Sequence, residues 1–173
     1  MSEIRTGLGW DAHRVSAGRP LVLGGVAVPC EFGLEGHSDA DVLAHAITDA
    51  ILGAAALGDI GAHFPDSDPR WKGCDSLVFL RHARELAEAL GYRVMNVDST
   101  VLMERPKLSE YRQPIRERLA ETLGLEVDRV SVKFKTAEGV GPVGEGRSAE
   151  AQAVVTLQKL GTGPWHEAAG WTG

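Results

Sequence analysis

At 173 residues the chain has the length of one domain with a sizeable core, and its 43% hydrophobic and 24% charged residues are ordinary for a folded globular protein. A net charge of -6 leaves no surplus of cations for a nucleic-acid surface. No run of about 18 apolar residues is present to span a membrane, and residues 1–10 lack the apolar stretch of a signal peptide. A cytoplasmic protein that binds neither nucleic acid nor membrane is expected. Cys30 and Cys74 lie far apart without a metal-binding spacing and are expected to be reduced thiols.

Taken in chain order, residues 4–15 and 21–29 read as extended segments, separated by the turn-like Ser16-Ala17-Gly18-Arg19-Pro20 and broken by Gly24-Gly25. A helix is predicted from Ser38, where Ser38-Asp39-Ala40-Asp41 has capping-box form. Leu43, Ile47, Ala50, Ile51, Ala54 and Leu57 then recur at helical spacing as a buried stripe. Residues 58–73 read as a loop rich in Asp and Pro. A second helix is predicted over 75–90, stopped by Gly91; a strand over 93–103, broken by Arg105-Pro106; and a third helix over 109–123, stopped by Gly124. A strand over 129–136, a glycine-rich loop over 138–146 and a strand over 149–160 complete the pattern. The fold class expected is α/β (α+β): one domain, residues 1–160, with a small mixed β-sheet and helices packed on one face. Residues 161–173 are expected to form a flexible C-terminal tail.

Chemistry concentrates at a few positions. Asp11 and His13, two apart on a strand, leave the same face. His45 falls on the predicted polar side of the first helix, about 200° round from Ile47, in line with Asp41 and Asp49. One carboxylate and two imidazoles supply three ligands for a metal such as Zn²⁺ and leave a fourth position open, although Asp-x-His pairs and surface histidines are common without any metal. His37 and Ser38 lie at the expected helix N-terminus, where N–H groups favour an anion or a simple cap. Phe64-Pro65-Asp66-Ser67-Asp68 offers carboxylates on a tight loop, suited to hydroxyl groups or merely to solvent. Lys133, Lys135, Thr136 and Glu138 place cations, a hydroxyl and a metal-capable carboxylate at a strand end. Gly139-Val140-Gly141-Pro142-Val143-Gly144 matches G-x-G-x-x-G, but Pro142 interrupts it and a strand-like run follows, so a dinucleotide site is not expected.

In combination, Gly7-Leu8-Gly9-Trp10-Asp11-Ala12-His13, His37-Ser38-Asp39-Ala40-Asp41-Val42-Leu43-Ala44-His45-Ala46 and Gly58-Asp59-Ile60-Gly61 resemble the 2-C-methyl-D-erythritol 2,4-cyclodiphosphate synthases. Phe64-Pro65-Asp66-Ser67-Asp68, Arg105-Pro106-Lys107-Leu108 and Thr136-Ala137-Glu138 continue the match in the same order, so it covers about residues 4–159. The resemblance implies a homotrimer with active sites shared between subunits, and a CDP-linked substrate, 4-diphosphocytidyl-2-C-methyl-D-erythritol 2-phosphate, cyclised with release of CMP. It places Zn²⁺ on Asp11, His13 and His45, and Mg²⁺ or Mn²⁺ on Glu138. His37 and Ser38 match contacts to the 2-phosphate; Asp59, Gly61, Phe64, Pro65, Asp66, Ser67 and Asp68 match contacts to the methylerythritol. Met103, Pro106, Lys107, Leu108, Phe134, Lys135 and Thr136 match the CMP pocket, with Thr136 polarising a phosphate oxygen. One segment departs from the family's Gly-Phe-x-Gly-Arg-Gly-Glu-Gly: here Gly141-Pro142-Val143-Gly144-Glu145-Gly146-Arg147 is about two residues shorter, and Val143 stands where the family has Arg. A metal-dependent phosphatase or nucleotide hydrolase would use the same three ligands with water as nucleophile; a metal- or nucleotide-sensing module would need no open metal position.

Overall fold

The computed structural model describes residues 3–160; the expected tail, residues 161–173, lies outside the described residues. Five strands form one mixed sheet in the order β4-β1-β7-β5-β6, with β1 Ile4–Ala17, β4 Phe32–Leu34, β5 Tyr92–Leu102, β6 Val130–Lys135 and β7 Ser148–Lys159. The long β1 and β7 pair antiparallel from Ile4↔Gln158 to Arg14↔Ser148, β7 pairs antiparallel with β5, and β5 and β6 are parallel. The last pair needs a crossover, which α4 (Arg112–Leu123) supplies. β2 (Leu21–Leu23) and β3 (Val26–Val28) form a separate hairpin through Gly24 and Gly25, both with positive φ.

Alternation along the strands sends Ala149, Ala151, Ala153, Val155 and Leu157 of β7 inward. Against that face lie α1 (Val42–Ala54), α3 (Leu77–Ala89) and α4, so the helices cover one side of the sheet as expected. Gly124, left-handed at φ 67, ends α4 and lets the Leu125 N–H return to the Ala120 carbonyl. The other face of the sheet carries Leu8 at 70%, Trp10 at 53% and Val154 at 39% exposure.

Several expectations need correction. The first helix starts at Val42, not Ser38: Asp41 is its N-cap and accepts from the Ala44 N–H. The Asp41 carboxylate also accepts from Gly24 and Gly25, so the cap ties α1 to the β2–β3 turn rather than lining a polar stripe with His45. His45 is itself buried, because α1 is enclosed by the sheet on one side and α3 on the other, leaving only Asp49 and Gly53 outside the buried set. Residues 58–73 hold two short helical turns, α2 (Ile60–His63), capped by Asp59, and a 3₁₀ turn Pro69–Trp71, capped by Asp68. The glycine-rich loop contains a further turn, α5 (Gly141–Gly144), and leads into β7 rather than opening a long helix. β4 has no counterpart among the predicted elements, since three residues are too few to show a period.

Candidate active site

Gly7, Gly9, Asp11 and His13 alternate along β1 and share the side that faces α1. A Cβ on Gly7 would lie 2.0 Å from the Ala50 carbonyl oxygen, and one on Gly9 1.9 Å from that of Ala46. No side chain tolerates such distances, so the two glycines let the helix backbone rest directly on the strand. This close approach delivers His45, near the start of α1, to Asp11 and His13.

His13 Nε2 and Asp11 Oδ2 are 2.9 Å apart, His45 Nδ1 and Asp11 Oδ2 3.0 Å, and His13 Nε2 and His45 Nδ1 3.1 Å. Tetrahedral ligands about 2.0–2.1 Å from a zinc ion stand about 3.3–3.4 Å from one another. The three donors therefore need to separate by only a few tenths of an ångström to hold a divalent ion. Lone-pair atoms crowd this closely only around a shared proton or cation. It is the one such cluster of His, Cys, Asp or Glu donors among the described residues. Three protein ligands leave a coordination position for a substrate oxygen, which a closed structural site would not.

Burial opposes ionisation of Asp11, but the hydrogen bond and charge of the adjacent His13 outweigh it and hold the carboxyl below the usual carboxylate range. Burial likewise disfavours a charged His13, yet the bond to Asp11 prevails and its pKa rises above the ordinary imidazole value. In the metal-free protein the His13 contribution to stability is complete below about pH 6.5 and is lost as pH rises through the higher folded-state value. Asp11 contributes above about pH 4 and loses its contribution on acidification. Metal uptake has to displace the His13 proton. Divalent-metal affinity is therefore expected to rise between about pH 6 and 8, with proton release measurable by calorimetry in two buffers of different ionisation enthalpy. Affinity flat across that range would exclude His13 as the displaced group.

His37 Nε2 lies 3.2 Å from the Asp68 carbonyl oxygen, which ties the 64–68 loop to the segment that precedes α1. Asp59 Oδ1 accepts from Ala62, and Asp49 Oδ1 from Ile60, which fixes the Asp59–Gly61 turn on α1. Pro65, Asp66 and Ser67 are exposed, whereas the Phe64 ring turns inward, 4.3 Å from that of Phe79 and 5.0 Å from that of Trp71. Ser38 is buried, its Oγ 3.1 Å from His45 Nε2 and accepting from the Ala40 N–H.

A second group assembles elsewhere. Met103 N–H donates to Lys135 carbonyl, Ala137 N–H to Glu104, and Thr136 Oγ1 donates to Glu138 Oε1 at 2.5 Å. Met103 and Leu108 are buried, Phe134 half-buried, Pro106 partly covered after a cis bond, and Lys107, Lys135, Thr136 and Glu138 exposed. Lys133 is engaged in an ion pair with Asp98. Glu138 has φ 52, a left-handed conformation unfavourable for a side-chain-bearing residue, which folds its carboxylate back toward Thr136. An open cleft of about 530 Å³ reaches from His13 and Arg14 to Pro142 and Arg147, the latter paired with Glu145 at 2.6 Å.

Sequence reasoning passes over Gly7 and Gly9 as packing residues, although their period-two register with Asp11 and His13 is legible. It also passes over Ser76, which shows only the signature of a helix cap.

A family model described as the YgbB family matches residues 4–158. A 2-C-methyl-D-erythritol 2,4-cyclodiphosphate synthase from Solibacter usitatus is 82% identical over 92% of this chain and 100% of that protein. Another, from Chloroherpeton thalassium, is 54% identical over 91% of this chain and 100% of that protein. A solved 2C-methyl-D-erythritol-2,4-cyclodiphosphate synthase in a CDP-bound form has a TM-score of 0.82 at 44% identity, covering 88% of this chain and 99% of that one. The fold, the Asp-His-His cluster and a match along nearly all the described residues agree, and the chain belongs to the YgbB family.

Proposed function

We propose that the chain converts 4-diphosphocytidyl-2-C-methyl-D-erythritol 2-phosphate to 2-C-methyl-D-erythritol 2,4-cyclodiphosphate and CMP. The observation that carries the reading is the convergence of Asp11 Oδ2, His13 Nε2 and His45 Nδ1 in a chain so similar to synthases of that product. A 2-phosphate oxygen attacks the β-phosphorus, the bond between the α- and β-phosphates breaks, and its electron pair leaves with CMP. Such a transfer requires in-line positioning and neutralised oxygens more than covalent help.

We assign Zn²⁺ to Asp11, His13 and His45, and Mg²⁺ or Mn²⁺ to Glu138. Bound there, the ions would supply the positive charge that lets two phosphate groups approach. His37 orients the attacking 2-phosphate. Ser38 presents its backbone beside the cluster, since its hydroxyl is already engaged. Asp59, Gly61 and the 64–68 loop hold the methylerythritol, Phe64 by anchoring the loop from within. Met103, Pro106, Lys107, Leu108, Phe134 and Lys135 frame the cytidine end, and Thr136 donates to a phosphate oxygen once Glu138 takes a cation. No general base is needed, because a phosphate dianion is already deprotonated near pH 7. Incubation with the substrate under phosphorus NMR tests the reading: cyclic diphosphate and CMP are expected, whereas a linear phosphate would mean a hydrolase.

Glu138→Gln keeps the side chain's shape and removes the charge a hard divalent ion prefers. Turnover is expected to fall and to need more Mg²⁺, with the metal at Asp11, His13 and His45 retained. Superimposable Mg²⁺ titrations of variant and parent would remove Glu138 from the metal site.

We further propose a homotrimer in which the metal group of one subunit faces the Thr136–Glu138 group of the next. The apolar Leu8, Trp10 and Val154, uncovered on the sheet face opposite the helices, support burial against other copies. The test mixes His45→Ala chains with Glu138→Ala chains. Random equal mixing makes about three-quarters of trimers mixed, each with one intact interface in three, so roughly a quarter of parental activity should return. Mixed trimers that stay inactive would mean that each site lies within one chain.

A further inference from the structure

We propose that Asp39 and Ser76 are positioning residues for the metal site, holding the His45 imidazole in the tautomer whose bare Nδ1 faces Asp11 and His13. The inference rests on those three side chains forming a metal site. Its basis is the far side of the same ring. His45 Nε2 lies 2.8 Å from Ser76 Oγ, and Ser76 is wholly buried at 0% exposure. Ser76 occupies the N-cap position of α3, where a serine hydroxyl ordinarily accepts from the helix's first N–H groups. It makes no such bond; Asp75 Oδ1 instead accepts from the Leu77 N–H at 2.8 Å. The Ser76 hydroxyl is therefore free for another partner, and it donates to Asp39 Oδ1.

Proton accounting sets the direction of this chain of bonds. Asp39 Oδ2 accepts the Ser76 N–H and Oδ1 accepts the Asp41 N–H, each at 3.2 Å, so both oxygens are acceptors and the single Ser76 hydroxyl proton points at Asp39. Ser76 Oγ then has only lone pairs left for His45, and the bond between them requires a proton on Nε2. A neutral imidazole with its proton on Nε2 carries a bare lone pair on Nδ1, which is the atom 3.0 Å from Asp11 Oδ2. Ser38 fits the same order: its Oγ accepts from Ala40 and its proton is available to Ser76 Oγ at 3.2 Å. Ala40, at φ 60, turns the chain so that Asp39 faces Ser76 while Asp41 faces the Gly24-Gly25 turn. The result is a carboxylate–hydroxyl–imidazole relay, the kind of outer support that orients a ligand and raises its basicity.

Two measurements test it. In ¹⁵N-histidine-labelled, zinc-loaded parent protein, His45 should show a slowly exchanging proton on Nε2 and a metal-bound Nδ1. Zinc affinity, read by competition with a chromogenic chelator, should weaken roughly tenfold to a hundredfold in Ser76→Ala and in Asp39→Asn. A role confined to folding would instead lower the melting temperature of the metal-free chain and leave zinc affinity unchanged. A parent that takes up no zinc overturns the metal reading and the inference together. A parent that binds zinc with the His45 proton on Nδ1, or folded variants that bind it as tightly, overturns the inference alone. Should either variant fail to fold, the parent spectrum still decides between the two tautomers.

Discussion

Gly9→Ala is expected to destabilise the protein by about 3 kcal/mol or more and to strip it of metal. The added Cβ would fall 1.9 Å from the Ala46 carbonyl oxygen and 2.6 Å from the Ala50 N, both backbone atoms of a helix enclosed on two sides. Overpacking of a close-packed interior typically costs about 1–3 kcal/mol, and here no flexible side-chain end can yield. Relief requires α1 to lift from β1, and His45, one residue before Ala46, would lift with it. Gly53→Ala makes the matching control. That glycine lies in the same helix with only the Leu8 carbonyl oxygen at 4.0 Å, so alanine there should stabilise by about 0.5–1 kcal/mol through helix propensity. Urea midpoints and metal content of the two variants provide the measurement. Equal and small effects at both positions would refute the account of the glycines as a close-approach surface.

His45→Ala is expected to abolish tight metal binding and turnover together. Removing one of three converging donors leaves Asp11 and His13 as a two-ligand site and deprives Ser76 of its imidazole partner. The charge stabilisation a bound ion brings to a phosphoryl group is worth several kcal/mol, so turnover should fall about a thousandfold or more. Elemental analysis of the purified variant and a phosphorus NMR assay check both limbs. Retention of one ion per chain in the folded variant would show that the metal lies elsewhere.

Local elements are legible in the sequence where short-range physics governs them. Gly91 and Gly124 mark helix ends because a residue without Cβ takes the left-handed conformation freely, and the strands β5, β6 and β7 show their period of two. The start of the first helix is ambiguous because Ser38 and Asp41 both carry capping side chains. Only the position of Gly24 and Gly25, 17 and 16 residues away from Asp41, settles which one caps. The neighbours Asp41 and Asp49 suggest a polar face for His45. A helix enclosed on two sides has no such face, and its polar residues must instead find partners across the fold.

The amino-acid order by itself determined the residue types of the metal cluster, the shared face of Asp11 and His13, the single mixed-sheet domain and, through ordered motifs, the family. Those features depend on periodicity and identity, which are local. Tertiary structure alone decided the 3.0 Å at which His45 Nδ1 meets Asp11 Oδ2, that Ser76 gives up its cap for Asp39, and that Phe64 anchors its loop from inside. Each of these depends on how closely one backbone approaches another. That distance is set by atoms a residue lacks, as at Gly7 and Gly9, and by partners that chain distance does not reveal.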